Sequence, residues 1–326
     1  MRIQIVTPAT AGSTHGNRIT AVRWAGILKQ LGHRVSITQT YDGNATDLLV
    51  ALHARRSYQS IKRFHQQHPD LPIVVALTGT DVYRDLKTDP GAMESLEIAS
   101  SIVALQPKAL ERLKRNVRGK ARVIYQSVEP RKKTQSRSAN HFDVCVIAHL
   151  RPVKDPFRAA LAARLLPATS RIRILQIGKA MTDSMRKRAQ AEATRNPRYR
   201  WLGELSKSQA ERYLVRSRIC VLSSRLEGGA NVLSEAIVAG VPVLASRIDG
   251  NTGILGDDYP GLFDAGDTHA LSRLLHRAET DATFLNDLRT RTKRLAHLFD
   301  RKRETQAWSE LSNELENPNH QTAKHR

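Results

Sequence analysis

Residues 223–246 read SSRLEGGANVLSEAIVAGVPVLAS. They begin at the end of the apolar run RICVLSS, the composition of a buried parallel strand. Gly228 and Gly229 then form a turn with no Cβ, where a ligand can approach the backbone. A helix is expected from Ala230 or Asn231 through Val232 to Ala239-Gly240, and Val241-Pro242 opens the next strand. Free N–H groups at such a helix start, with the helix dipole behind them, favour a phosphate. Glu227 and Glu235 bracket the turn, one in the loop and one about a turn into the helix. A carboxylate can accept two hydrogen bonds from a ribose diol, and one beside a sugar can orient its hydroxyls. A glycine-bearing turn with a surface glutamate accounts for Gly228-Gly229 alone, but poorly for the whole block.

Outward from this block, strand-like runs alternate with helical patterns, as in parallel sheets. The first half runs from RIQIV through a helix with Ile19, Val22, Ala25, Leu28 and Leu31 on one face, then RVSITQT, DLLVALH, PIVVALTG, SIVALQ, a helix ALERLKRNV and RVIYQ. The polar stretch EPRKKTQSRSANHF has no periodicity and reads as a linker. The second half runs from FDVCVIAHL through a helix from Pro156 to about Leu166, IRILQIG, YRWLG, KSQAERYLVRS and RICVLSS. The expected class is α/β: two doubly wound, Rossmann-like domains facing a central cleft. Their expected bounds are 1–129 and 142–300, with a linker at 130–141 and a helix at about 301–316 that can pack back on the first domain. In such folds ligands bind beyond the carboxyl ends of the strands.

The chain has 326 residues, enough for two such domains, with 40% hydrophobic and 25% charged residues. A formal net charge of +21 favours anionic partners. Only 5% of residues are aromatic, and no aromatic ladder interleaves the basic runs, so a single-strand nucleic-acid platform is not expected. No apolar run approaches the roughly 20 residues of a membrane helix, and MRIQIVTPAT reads as a strand, so no membrane insertion and a cytoplasmic location are expected. Cys145 and Cys220 sit in strand-like runs and read as core residues. No Asp-x-Asp motif occurs, Asp257-Asp258 read as a turn, and the histidines lack ligand spacing, so no metal and no cofactor are expected.

Further residues gather at expected strand ends. AHLRPVKDP, residues 148–156, places Arg151 and Lys154 in a loop after the first strand of the second half, where two cations can simply be solvated. Trp201 in RYRWLGEL reads as a core side chain in preference to one beside a base. In the first half, Gly16, Asn17 and Arg18 open a helix after a small-residue loop. His53, Arg55 and Arg56 follow one buried strand. Thr78, Thr80 and Asp81 follow another, where Thr80 or Asp81 can equally cap the next helix.

The 223–246 block resembles the GT-B glycosyltransferases of family 4, whose E-x7-E motif Glu227 and Glu235 match. The resemblance implies that Glu235 binds the donor ribose and Glu227 the transferred sugar. It also implies that amides from Gly229 to Val232, with Arg151 and Lys154, meet the donor diphosphate. The strand end at Trp201 would flank the base, and no metal would be needed. A narrower resemblance rests on residues 2–35, DLLVALHARRS (47–57) and VVALTGTDVYRDL (74–86), which are similar to the selenosugar synthase family of selenoneine biosynthesis. It implies a nucleotide-sugar donor, UDP-N-acetylglucosamine, and a small anionic acceptor, selenophosphate. Arg18, Arg55, Arg56, Gly16, Asn17 and Thr80 would bind the acceptor, and His53 and Asp81 would assist. The rival expectations are a family 4 enzyme acting on a sugar or lipid hydroxyl, a basic nucleic-acid-binding protein, and a sugar-nucleotide binder without catalysis. The residues leave the oligomeric state open.

Overall fold

A computed structural model describes residues 1–13, 15–79, 81–130 and 138–317. Thr80 and most of the expected linker lie outside the described residues. The chain divides into two compact units: Met1–Ser127 with Asp300–Arg326, and Val128–Phe299.

The first unit is built on six parallel strands: β1 (Arg2–Val6), β2 (Arg34–Thr38), β3 (Leu48–Leu52), β4 (Ile73–Ala76), β5 (Ser101–Ala104) and β6 (Ala121–Val123). Their order is β2-β1-β3-β4-β5-β6, so the winding reverses between β1 and β3. Strand β3 shows why the sequence runs apolar without alternation. Leu48, Val50 and Leu52 pack into one core layer, and Leu49 and Ala51 into the other. The helix Gly16–Gln30 covers the first layer with Ala21, Trp24, Ile27 and Leu28.

The helix Arg301–Glu316 packs in this same layer. Its Trp308 meets Trp24 edge-on, with ring centroids 4.8 Å apart. Its Glu304 is 2% exposed. One carboxylate oxygen accepts from Trp24 Nε1 at 2.9 Å; the other accepts from the Ser127 amide at 2.8 Å and from its hydroxyl at 2.5 Å. A buried carboxylate so bonded is compensated for its lost hydration.

The second unit also has six parallel strands: β7 (Phe142–Ile147), β8 (Ile172–Ile177), β9 (Tyr199–Trp201), β10 (Ile219–Leu222), β11 (Val243–Ser246) and β12 (Leu262–Phe263). The order β12-β11-β10-β7-β8-β9 puts the reversal between β7 and β10. A crevice opens outside the carboxyl ends of the two strands at such a switch point. The loops there are 148–155 and 223–230, the two cation- and glutamate-bearing segments of this half.

Two expected helices are corrected. ALERLKRNV is two single turns, Lys108–Glu111 and Arg115–Arg118, with Lys114 extended between them. The break lets both Leu113 and Val117 turn inward, and the Arg118 guanidinium donates to the carbonyls of Glu111 and Leu113 at 3.0 and 2.9 Å. The helix expected from Pro156 starts only at Arg158 and ends at Ala163. KSQAERYLVRS is helical over Lys207–Arg216, opened by a capping box of Ser206 and Gln209.

Candidate functional site

In the second unit, the loop after β7 is fastened to the loop after β10. The Arg225 amide donates to the Val153 carbonyl at 2.8 Å, and Ser223 Oγ donates to the Asp155 carbonyl at 2.8 Å. Asp155 takes a left-handed conformation, φ +43°, which its short polar side chain tolerates, and it pairs with Arg158 at 2.9 Å. Between these ties Lys154 meets Glu227. The ammonium bonds Glu227 Oε1, and the Ser224 hydroxyl donates to the same oxygen at 2.6 Å. Glu227 is only 9% exposed. Its Oε2 carries no hydrogen bond among the described residues. The pair is therefore charge-balanced yet keeps one carboxylate oxygen open.

The helix Asn231–Val238 starts directly beyond. Ala230 caps it without a side-chain hydrogen bond, and the amides of Asn231 and Val232 have no partner among the described residues. Gly228 is buried and Gly229 half-buried, so the turn brings backbone, not side chain, to this helix start. Asn231 Oδ1 is buried without a partner among the described residues. Glu235, one turn on, is half-buried. Its charge reaches the sheet: hydrogen bonding from Cys145, burial and the Glu235 charge together push the Cys220 thiol well up. Both cysteines are fully buried and stand opposite each other on β7 and β10. Arg151 is exposed, and its guanidinium has no partner among the described residues.

Trp201 is half-buried at the end of β9 and donates through Nε1 to the Gly178 carbonyl at 2.9 Å. Gly178 has φ +146°, and a Cβ there would stand 2.1 Å from the Ala148 carbonyl oxygen. Only glycine lets the loop after β8 lie against the loop that carries Arg151 and Lys154. Gly250 is a similar contact: its Cβ would stand 2.1 Å from the Glu227 carbonyl oxygen. Neither glycine was singled out from the sequence. The available signal was a glycine directly after a strand in IRILQIG and within the helix-opening segment RIDGN.

The first unit holds a second polar group, after β3 and β4. Asp81 is 0% exposed and opens a π-helical turn, Asp81–Asp85. It accepts the amides of Ala54 at 3.0 Å, Thr78 at 2.7 Å and Val82 at 3.1 Å. Burial pushes its carboxyl up to about 7 even against those bonds. His53, 1% exposed, is left-handed with φ +77°, uncommon outside glycine. Burial, then the charge of Arg56, lowers its imidazole to about 4, so it is neutral near pH 7. Nδ1 accepts the Arg56 amide at 3.3 Å, which leaves the proton on Nε2. Nε2 is 3.8 Å from Asp85 Oδ2, a buried oxygen with no hydrogen bond among the described residues.

Arg55 is half in solvent and stands 3.5 Å from Asp85 and 3.9 Å from Asp89. Arg56 is exposed. Thus His53, which stands beside Asp81 and the Arg56 amide, and Arg55 both meet Asp85, a residue the sequence reading passed over. Its signal was the Asp-x3-Asp spacing of DVYRD, one helical turn. Gly16, Asn17 and Arg18 stand apart from these, at the start of the helix after β1. Gly16 is exposed, Asn17 and Arg18 are half-buried, and that helix has no side-chain cap. Thr80 lies outside the described residues. Among the described residues, no three His, Cys, Asp or Glu side chains are grouped to hold a metal, and no helix is long and apolar enough to cross a membrane.

Comparison with known proteins gives a family and a fold. The family model described as "Glycosyl transferases group 1" matches residues 128–295. No curated protein matches the sequence. Among solved structures, the chain is similar to HepE of Anabaena in complex with UDP and glucose, with TM-score 0.72 and 16% identity over 96% of this chain and 99% of that one. It is also similar to sucrose-phosphate synthase of Thermosynechococcus elongatus, with TM-score 0.78 and 16% identity over 97% of this chain and 99% of the other. At such identity these likenesses carry the fold alone, the two-domain GT-B arrangement of parallel sheets.

Proposed function

Because the chain belongs to the group 1 glycosyl transferases, we propose that it moves N-acetylglucosamine from UDP-N-acetylglucosamine onto selenophosphate. The observation that carries the donor half is Glu227, paired with Lys154 and Ser224 beside an uncapped helix start. Arg151, Lys154 and the amides from Gly229 to Val232 take the diphosphate, whose charge grows as it leaves. Glu235 holds the ribose, the open oxygen of Glu227 takes a hexose hydroxyl, and Trp201 borders the base. That UDP and UDP-glucose occur in HepE structures supports a UDP donor.

The first unit takes the acceptor. Arg18 and Arg56 present cations at the loops after β1 and β3, and Gly16 and Asn17 supply polar backbone beside Arg18. Asp81 and His53, both buried, act by shaping the loop that bears Arg55 and Arg56. In the reaction the selenium forms a bond to the anomeric carbon as the bond from that carbon to the UDP oxygen breaks, and the electron pair leaves with UDP. Water then takes the phosphoryl group, the Se–P bond breaks, and phosphate and the seleno-sugar are released. A selenium anion needs little general-base help. The acceptor assignment is supported by the sequence resemblance in residues 2–35, 47–57 and 74–86.

A second reading, transfer to a sugar or lipid hydroxyl, is favoured by one observation: Arg55 faces two carboxylates, Asp85 and Asp89, which compete with an anionic acceptor. One experiment separates the readings. Purified protein is mixed with UDP-N-acetylglucosamine and selenophosphate, and products are followed by mass spectrometry. UDP together with a seleno-sugar is expected. UDP release with hydroxyl acceptors and none with selenophosphate or thiophosphate rejects the first reading in favour of the second.

A further inference from the structure

Glu227 is one of the most constrained carboxylates in the second unit, and its constraint comes from residues outside the motif that contains it. Ser224, 4% exposed, donates to Oε1 at 2.6 Å. The Ser224 carbonyl in turn accepts the Ser246 hydroxyl at 2.5 Å, at the end of β11. Asn251, fully buried, donates through Nδ2 to the Ser246 carbonyl at 2.9 Å and to its Oγ at 3.2 Å. Gly250, beside it, lies against the Glu227 main chain so closely that a Cβ would also stand 2.8 Å from Glu227 Cβ. One carboxylate is thus gripped from both sides: its Oε1 by Ser224, its backbone by the helix Asp249–Leu255.

We propose that Ser224 is a positioning residue that aims the Glu227 carboxylate at the donor sugar, with Ser246, Asn251 and Gly250 holding the pair in place. The inference rests on the donor reading above. Its physical reason lies in how the lone pairs are divided. Oε1 receives both the Lys154 ammonium and the Ser224 hydroxyl, so Oε2 alone faces a ligand. Lys154 has a second task at the diphosphate. When phosphate oxygens draw the ammonium away, Ser224 is the donor that stays on Oε1. It is an O–H on an anion, short and directional, and buried where water competes poorly. Without it the carboxylate can rotate, and Oε2 no longer has a fixed direction toward a sugar hydroxyl.

The test compares wild-type protein with Ser224→Ala, Ser224→Thr, Glu227→Ala and the Ser224→Ala/Glu227→Ala double variant. Calorimetry reads the affinity for UDP and for UDP-N-acetylglucosamine, and UDP release reads turnover. Ser224→Ala is expected to leave UDP affinity within about twofold while lowering kcat by about tenfold to a hundredfold, the size of one hydrogen bond to a charged group. Ser224→Thr, which keeps the hydroxyl, should recover most of it. On the Glu227→Ala background the serine change should cost nothing further, because it acts through that carboxylate. Ser224→Ala with wild-type kcat, or with an equal loss on both backgrounds, overturns the positioning role alone. A fall in UDP affinity equal to the fall in kcat makes Ser224 a general prop of the loop and also overturns it. If wild-type protein binds no UDP, the donor reading itself fails and takes this inference with it.

Discussion

Glu227 and Asp81 are both buried carboxylates at the carboxyl end of a parallel sheet, and they are used differently. Asp81 gives both its oxygens to three backbone amides from two loops and, at 0% exposure, shows neither to a ligand. Glu227 concentrates its bonds on Oε1, and Oε2 stays open. Charge balance separates them too. A lysine sits on Glu227, whereas no cation pairs with Asp81 among the described residues, and burial drives its carboxyl up to about 7 against its hydrogen bonds. A paired carboxylate with a free oxygen is suited to a substrate; an amide-bound one is suited to shaping a loop.

The contrast can be broken by substitution. The largest effect should come from Asp81→Ala, which strands the buried amides of Ala54, Thr78 and Val82. The first unit should lose about 3 kcal/mol or more of unfolding free energy, read by denaturant titration. UDP affinity of the protein that remains folded should be unchanged. Next, on the proposed donor site, Lys154→Ala should weaken UDP binding by about tenfold to a hundredfold, since it removes the cation proposed for the diphosphate and leaves Glu227 charged without its partner. Calorimetry that finds UDP affinity intact in both Lys154→Ala and Glu235→Ala would show that the donor site lies elsewhere.

The smallest effect is a change of slope with pH. His53 titrates at about 4 folded against an ordinary 6.5, so the unfolded chain binds more protons between those values and stability rises with pH there. Asp81 titrates at about 7 folded against an ordinary 3.8, so the folded chain binds more protons in that window and stability falls as pH rises through it. The two contributions oppose each other. His53→Asn, which tolerates the left-handed backbone, removes the rising one. Melting temperatures of this variant should therefore fall more steeply than those of wild type between about pH 4 and 6.5. Parallel curves would mean that His53 is not held neutral by burial.

Much of the turn around Glu227 was legible because its signals are local. A strand end, two glycines and a helix start with glutamates on either side occupy one continuous block, so turn chemistry and helix capping can be read in order along it. The break in ALERLKRNV was not legible. It depends on Leu113 and Val117 both finding the core, which propensity along a basic helix does not report. Asp85 was missed for a similar reason. It matters because it is buried beside His53, and burial is a property of the packed unit. Gly178 and Gly250 carry no local sign that another segment's carbonyl lies where their Cβ would be.

The sequence alone determined the alternation of buried strands and amphipathic helices, hence two parallel sheets, and it singled out Glu227, Glu235, Arg151 and Lys154 as the polar residues of a strand-end turn and its companion loop. These follow from periodicity and turn chemistry, which act over a few residues. Tertiary structure decided which strand ends adjoin, and so put Lys154 and Ser224 on one oxygen of Glu227 and left the other open. It also decided that Asp81 is consumed by backbone amides. Lone pairs, burial and close backbone approach are set by segments far apart in the chain, and only the fold brings them together.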